Sequence, residues 1–207
     1  MTATEQGPAA NGLIARIKDI LFTPAEAWDR IDAEPASIKG LYVGYACILA
    51  AIGPIARLIG SQLFGYHVLN ISFRPSLVAS IEQAVVSYVL SLVGIYVLAL
   101  IIDALASSFG GTKSQIQAFK LAVYSSTAAW IAGIFALLPP VSGLAIIGIY
   151  SLYLLYVGLP KLMKAPADKA LTYTVAVVIA DLVILFVIAI VSGLIVGGAG
   201  LMGAARP

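Results

Sequence analysis

Charge is scarce in this sequence: ten acidic and twelve basic side chains in 207 residues, 11% of the chain, where a soluble domain carries about 25%. Cysteine and histidine are scarcer still. A single cysteine, Cys47, excludes an internal disulfide framework and a cysteine-rich zinc site. A single histidine, His67, excludes an HExxH metalloprotease and a multi-histidine metal centre. Neither a GxxxxGK(S/T) phosphate loop nor a GxSxG nucleophile elbow occurs. The net charge is only +2 and no long basic run exists, so no nucleic-acid partner is expected. No cofactor is expected either.

What is abundant is apolar surface. The chain is 61% hydrophobic with a mean hydropathy of +1.01, against about 45–50% apolar in soluble domains. One soluble core cannot hide that much, so lipid must be the solvent. A spanning helix needs about 20 mostly apolar residues to cross about 30 Å of hydrocarbon. Five stretches qualify, at about 41–60, 77–107, 116–138, 141–158 and 171–196. None alternates as a barrel strand does. The expected fold is all-α: a polytopic membrane bundle of five transmembrane helices (residues 41–199), preceded by a cytoplasmic segment (1–40) with amphipathic interfacial helices and followed by an external tail (200–207).

The second stretch is too short for two spans with a turn and reads as one tilted helix or as one that extends past the interface. Pro139–Pro140 removes two N–H donors between the third and fourth stretches, which sets a tight hairpin. Lys and Arg counts give orientation. Nine fall on the side of the N-terminus and three on the other, which places the N-terminus in the cytoplasm and the C-terminus outside. The first 40 residues lack a charged region followed directly by an apolar run, so no signal peptide is expected.

Before the spans, Leu13, Ile14, Ile17, Ile20 and Leu21 share one helix face, with Arg16, Lys18 and Asp19 opposite. Thr23-Pro24-Ala25-Glu26 reads as a capping box with proline at the first helical position. The second helix then presents Ala27, Trp28 and Ile31. Two placements fit: both helices lie on the inner leaflet with Trp28 at headgroup depth, or they pack against the cytoplasmic end of the bundle.

A charge buried in hydrocarbon costs at least about 2.5–3.5 kcal/mol, so each needs a partner or a purpose. Asp103 and Lys120 enter from the cytoplasmic side to similar depths and form one candidate ion pair. Arg57 and Glu82, near the opposite ends of the first two spans, form another. Asp181 differs: it lies about ten residues, or roughly 15 Å, into the fifth span, near the midplane. No basic residue shares that depth, and the expected partners are the hydroxyls of Thr127, Tyr150, Ser151 or Ser91. It reads either as a protonated acid that locks helix to helix or as a proton or cation site on a transport path. Tyr150, Tyr153 and Tyr156 add a hydroxyl-bearing stripe, and patterns such as Ala129-x-x-x-Gly133 allow close helix approach within or between protomers.

Leu21-Phe22-Thr23-Pro24-x-x-x-Trp28-x-x-Ile31 resembles the cytoplasmic start of bacterial members of the YIP (Ypt/Rab-interacting protein) membrane family. So do Phe109-Gly110-Gly111 and Ala122-x-Tyr124-Ser125. The clearest likeness is Tyr150-x-x-Tyr153-Leu154-x-Tyr156-x-Gly158-Leu159-Pro160-x-Leu162-Met163-x-x-Pro166-x-x-Lys169-Ala170. The ordered set covers roughly residues 13–190. The resemblance implies a five-span helical protein of the bacterial inner membrane with a cytoplasmic N-terminus. Eukaryotic relatives are associated with vesicle traffic and Rab-type GTPases and form homo- and hetero-oligomers, but a bacterial-style chain has no Golgi traffic to serve. The resemblance assigns no catalytic residue.

Two functions are therefore expected. The first is a non-enzymatic protein that organises membrane lipids, a membrane-protein partner or its own homo-oligomer through its helices. The alternative is a small oligomeric transporter or channel for protons, cations or lipids that uses Asp181. A membrane enzyme would need a nucleophile–base pair or metal at one depth, and His67 sits alone in an external loop.

Overall fold

The structure, a computed structural model, describes residues 12–68 and 71–204. Two short helices, α1 (Leu13–Phe22) and α2 (Pro24–Ala33), lead into five helices long and apolar enough to cross a membrane. These spans are Ile38–Phe64, Leu77–Phe109, Gln115–Leu137, Gly143–Met163 and Ala167–Leu194. The five-span helical bundle expected from apolar run length is what forms. The last helix continues to Ala204.

The first span starts at an N-cap, where the Ser37 hydroxyl accepts from the Gly40 amide at 3.1 Å. Its Tyr42–Ala46 turn is a π-helix, and the α-hydrogen bonding breaks again at Ala51, three residues before Pro54. Proline has no amide to give to the turn above it. Two tyrosine hydroxyls, one from each span, tie this irregular stretch to the second span. Tyr88 donates its hydroxyl to the Cys47 carbonyl at 3.0 Å, and Tyr42 donates across to the Leu92 carbonyl at 2.8 Å. Gly65, at φ 69°, then ends the helix.

Between the first and second spans, β1 (Tyr66–Val68) pairs antiparallel with β2 (Ile71–Phe73), with His67 opposite Ser72. This small ribbon is the one departure from helix and loop among the described residues. The second span ends at Phe109-Gly110-Gly111. Gly110 adopts φ 75°, and the Gly111 amide reaches back to the Ala106 carbonyl at 2.8 Å. A Cβ at Gly111 would lie 2.7 Å from the Met163 carbonyl. The glycine pair therefore lets the end of the second span close on the end of the fourth, where the Thr112 amide bonds Met163.

Pro139 and Pro140 open a run of 3-10 helix, Pro139–Ile149, that becomes α-helix at Tyr150. The tighter winding lengthens the fourth span. Seven 3-10 residues at about 2.0 Å rise and fourteen α residues at about 1.5 Å reach roughly 35 Å, enough to cross. Pairs of small residues bring neighbouring spans together within the protomer: Ala129 against Gly148, and Gly133 against Gly53.

The third span is the centre. Every residue from Ala118 to Ser125 is buried, surrounded by α1, α2 and the other spans. The fifth span lies at the edge. Its buried stripe runs Ala170, Tyr173, Thr174 and Val177, while most of its remaining surface is apolar and exposed. The core thus sits in the half of the bundle that carries α1 and α2, and the opposite half is more open.

Candidate functional site

Of the two placements expected for α1 and α2, packing against the bundle is the one the side chains show. Trp28 is fully buried, as are Ile20 and Ala27, and Ile31 is nearly so. The indole fits because residue 158 is glycine: a Cβ there would meet Trp28 Cε2 at 2.6 Å and Leu121 Cδ1 at 2.6 Å. Trp28 also meets Tyr124 edge-on, with ring centroids 6.4 Å apart. Of the large apolar side chains on the pair, Phe22 and Ile14, at the elbow and start, remain largely exposed.

Polar contacts clamp this cap along its length. Arg16, on α1, is buried, and its Nη2 donates to both Glu34 oxygens at 2.7 and 2.5 Å. Its guanidinium carbon stands 5.8 Å from the centroid of the Tyr124 ring. Burial pulls the Arg16 pKa down, but the hydrogen bond and charge of Glu34 prevail and the net shift is upward. At the rim, Lys161 pairs with Asp29 and Lys164 with Asp32, both at 2.5 Å, and Arg30 bridges back to Asp19 at 3.1 Å. Gln117 donates to the Asp32 side chain at 3.0 Å.

Lys120 does not pair with Asp103. It is buried, and its Nζ donates to the carbonyls of Ile31 at 2.7 Å and Glu34 at 2.6 Å. It therefore caps the C-terminal end of α2, where unpaired carbonyls and the helix dipole both favour a cation. Equal depth does not mean equal face: Lys120 points at α2, and Asp103 sits against the fifth span. The Tyr173 hydroxyl donates there to the Ile102 carbonyl, and one buried Asp103 oxygen has no hydrogen-bond partner among the described residues. Tyr173 stacks on Phe109, centroids 4.9 Å apart and nearly coplanar.

Arg57 and Glu82 are both exposed, and no ion pair joins them. Arg57 instead faces a furrow between the first and second spans. Asp181 continues the inward stripe of the fifth span, one turn beyond Val177, and is half-buried. Its expected partners are engaged elsewhere. Thr127 shares a 2.8 Å hydrogen bond with the Tyr45 hydroxyl and donates to the Tyr124 carbonyl. Tyr150 donates to the Leu21 carbonyl at the end of α1 at 2.9 Å, and Ser151 accepts from the Ala129 amide at 2.9 Å. Ser91 donates to the Tyr88 carbonyl. Among the described residues Asp181 has no hydrogen-bond partner. The residues grouped around it by depth are distributed over different faces.

Sequence reasoning missed the Arg16–Glu34 pair and the Tyr45–Thr127 bond. The expectation that Arg16 lies opposite the apolar face is overturned: it is buried, and its three- and four-residue spacing from Leu13 and Ile20 is the signal that sets it on their side. Among the described residues no three His, Cys, Asp or Glu side chains gather to hold a metal.

The arrangement is a helical pair docked into one end of a five-span bundle, held by a buried ion pair and a lysine cap. A family model described as the Yip1 domain matches residues 18–204. The chain is similar to a protein named inner membrane protein YohC from Escherichia coli strain K12. The two are 27% identical over 153 residues, which cover 70% of this chain and 76% of the relative. A protein of the same name from a second Escherichia coli strain matches equally. No solved structure matches. With the family match running from α1 through the fifth span, the chain belongs to the Yip1 domain family.

Proposed function

We propose that this protein is a non-enzymatic, multi-pass protein of the bacterial inner membrane that organises partner proteins or copies of itself. The docked cap is the observation that carries this reading. Arg16–Glu34, Lys120 and Trp28 hold α1 and α2 rigidly against the bundle. That rigidity presents Phe22, 78% exposed, at the elbow, and Ile14, 69% exposed, at the start of α1. Exposed apolar side chains pre-organised on a fixed helix pair suit a docking surface. The lysine and arginine balance supports a cytoplasmic location for this cap and an external C-terminus.

The test is a photo-reactive residue at Phe22 in the membrane-embedded protein, combined with mass measurement in lipid nanodiscs. A discrete adduct with one protein or with a second copy, lost on Phe22→Asp, is expected. A strictly monomeric protein with no specific adduct would remove the proposal.

One observation favours a second reading, a proton or cation path. Asp181 is on the inward face of its helix with no hydrogen-bond partner among the described residues. A carboxyl at membrane depth needs a purpose or a proton. Ion flux in proteoliposomes, wild type against Asp181→Asn, decides it: a flux lost in the variant supports transport, and no flux in either protein ends that reading.

A further inference from the structure

The half of the bundle opposite the cap holds a feature that neither cap docking nor Asp181 uses. Two cavities, of about 370 and 190 Å³, meet along the seam of the first and second spans, and Pro54, Arg57 and Ser87 line both. Together they form one furrow. It runs from Ser61 and Ser80 near the ribbon end, past Arg57, to Ala50, Gly53 and Trp130 further down. Eleven residues of helix separate Ser61 from Ala50, roughly 16 Å.

Its chemistry is lopsided. Arg57 is the cation, and among the described residues it has no hydrogen-bond or ion-pair partner. Glu82, the nearest acid in sequence on the second span, does not line the furrow. The hydroxyl protons of Ser87 and Ser91 are already given to the carbonyls of Ala84 and Tyr88. Their oxygens are left as acceptors. The upper furrow thus offers one cation that seeks an anion and, in Gln83, a side-chain amide with no hydrogen-bond partner among the described residues, while Ser87 and Ser91 lie deeper along the seam. Its lower part is lined by Ala50, Gly53, Ala129 and the Trp130 ring. On the other flank of the same helix pair, a groove of about 300 Å³ is lined by Ala51, Ile55, Ile81 and Val85. That flank is ordinary lipid-facing surface, so the polar groups are gathered on one side only.

Depth fits the chemistry. A centred 27-residue first span is about 40 Å long and overhangs the roughly 30 Å hydrocarbon layer by about 5 Å at each end. Arg57, seven residues from Phe64, then lies about 5 Å inside the boundary, within reach of the phosphate layer by snorkelling.

We propose that this furrow binds one glycerophospholipid of the leaflet opposite the cap, with its phosphate on Arg57, a donor headgroup against the Gln83 side-chain oxygen beside it, and an acyl chain laid inward along Ser87, Gly53, Ala129 and Trp130. The guanidinium matches phosphate in charge and planar geometry. A headgroup ammonium or hydroxyl satisfies the Gln83 oxygen, at the level of Arg57. This site stands apart from the cap, so it holds or fails independently of partner docking there.

The test is native mass spectrometry of the full chain, stripped of lipid in detergent and titrated with dioleoyl-phosphatidylethanolamine or dioleoyl-phosphatidylcholine. The two lipids share their charge, and only the first has a donor headgroup. Wild type is expected to take one ethanolamine lipid ahead of all others, and more tightly than the choline lipid. Arg57→Gln is expected to weaken that first step by about tenfold or more, the loss of a charge-assisted contact. Arg57→Lys is expected to retain part of it. Ser87→Leu, which fills the furrow with Arg57 intact, loses the step. Arg74→Gln, at an arginine bonded to the Leu63 carbonyl, leaves it unchanged. The proposal is overturned if Arg57→Gln binds within twofold of wild type, if the choline lipid binds equally well, or if millimolar inorganic phosphate displaces the lipid and so marks a free-anion site.

Discussion

Replacing Glu34 with alanine strands the Arg16 guanidinium inside the cap. The wild-type pair has two short contacts, 2.7 and 2.5 Å, and the Arg16 side chain is 3% exposed. Breaking a fully buried pair costs about 3–5 kcal/mol, chiefly because one charge remains without compensation. Glu34 is 36% exposed, so water screens part of that interaction. A fair figure for the variant is about 2 kcal/mol, since partly solvated pairs are worth much less than buried ones. Lys120 bonds the main-chain carbonyl of residue 34, a contact the substitution leaves in place. The cap should therefore open more often without dissolving, by roughly thirtyfold for that energy. Hydrogen exchange of the amides of α1 and α2 in nanodiscs measures this directly, with the buried third span as internal reference. Replacing both partners, Arg16→Met with Glu34→Met, should restore slow exchange, because matched apolar groups substitute well for a buried pair. Exchange in Glu34→Ala within threefold of wild type would refute the reasoning. So would a double variant as open as the single one.

Three further outcomes are expected. Because the Arg16 pKa is raised in the folded protein, its contribution is complete at every pH below the ordinary arginine range and is lost only above it. Opening of the cap, corrected for intrinsic exchange, should owe no change to Arg16 between about pH 6 and 9. Gly158→Ala places a methyl within 2.6 Å of both Trp28 and Leu121 and should cost about 1–3 kcal/mol. Trp28 fluorescence in a Trp130→Phe background should shift to the red as the indole is expelled. Lys120→Met leaves the Ile31 and Glu34 carbonyls without their donor, a loss of about 1–3 kcal/mol. Exchange should rise first in the last turn of α2.

The number of spans is legible in the sequence because apolar run length is a local property, and the membrane sets how long a run must be. The amphipathic pair before the spans is legible for the same reason. Where that pair docks is not. Its burial depends on the notch at Gly158, some 130 residues away, and nothing near Trp28 announces it. Charges show the division most clearly. Residue counting gives the depths of Asp103, Lys120 and Asp181, but partners are chosen by helix face. Lys120 turns to the end of α2, Thr127 to Tyr45 and Tyr150 to Leu21. Phe109-Gly110-Gly111 is visible as a pattern, and its reason, close approach to the Met163 carbonyl, needs the fourth span in place.

The two ends of the bundle differ. At the capped end several groups pair, Arg16 with Glu34, Lys120 with two carbonyls and Tyr45 with Thr127, while Arg16 Nε, Trp28 Nε1, Asp103 Oδ1 and Gln117 Oε1 stay buried without a partner among the described residues. At the other end Arg57 opens onto a furrow whose serines have already given their protons to their own helix. The first arrangement stabilises a fixed surface, and the second leaves binding capacity exposed to lipid. Perturbations should therefore separate. Glu34→Ala and Lys120→Met should loosen the cap while lipid retention holds, and Arg57→Gln should release lipid while the exchange of α1 and α2 stays slow. If either class of variant moved both readouts together, the two ends would be one coupled device, and the division drawn between them would be wrong.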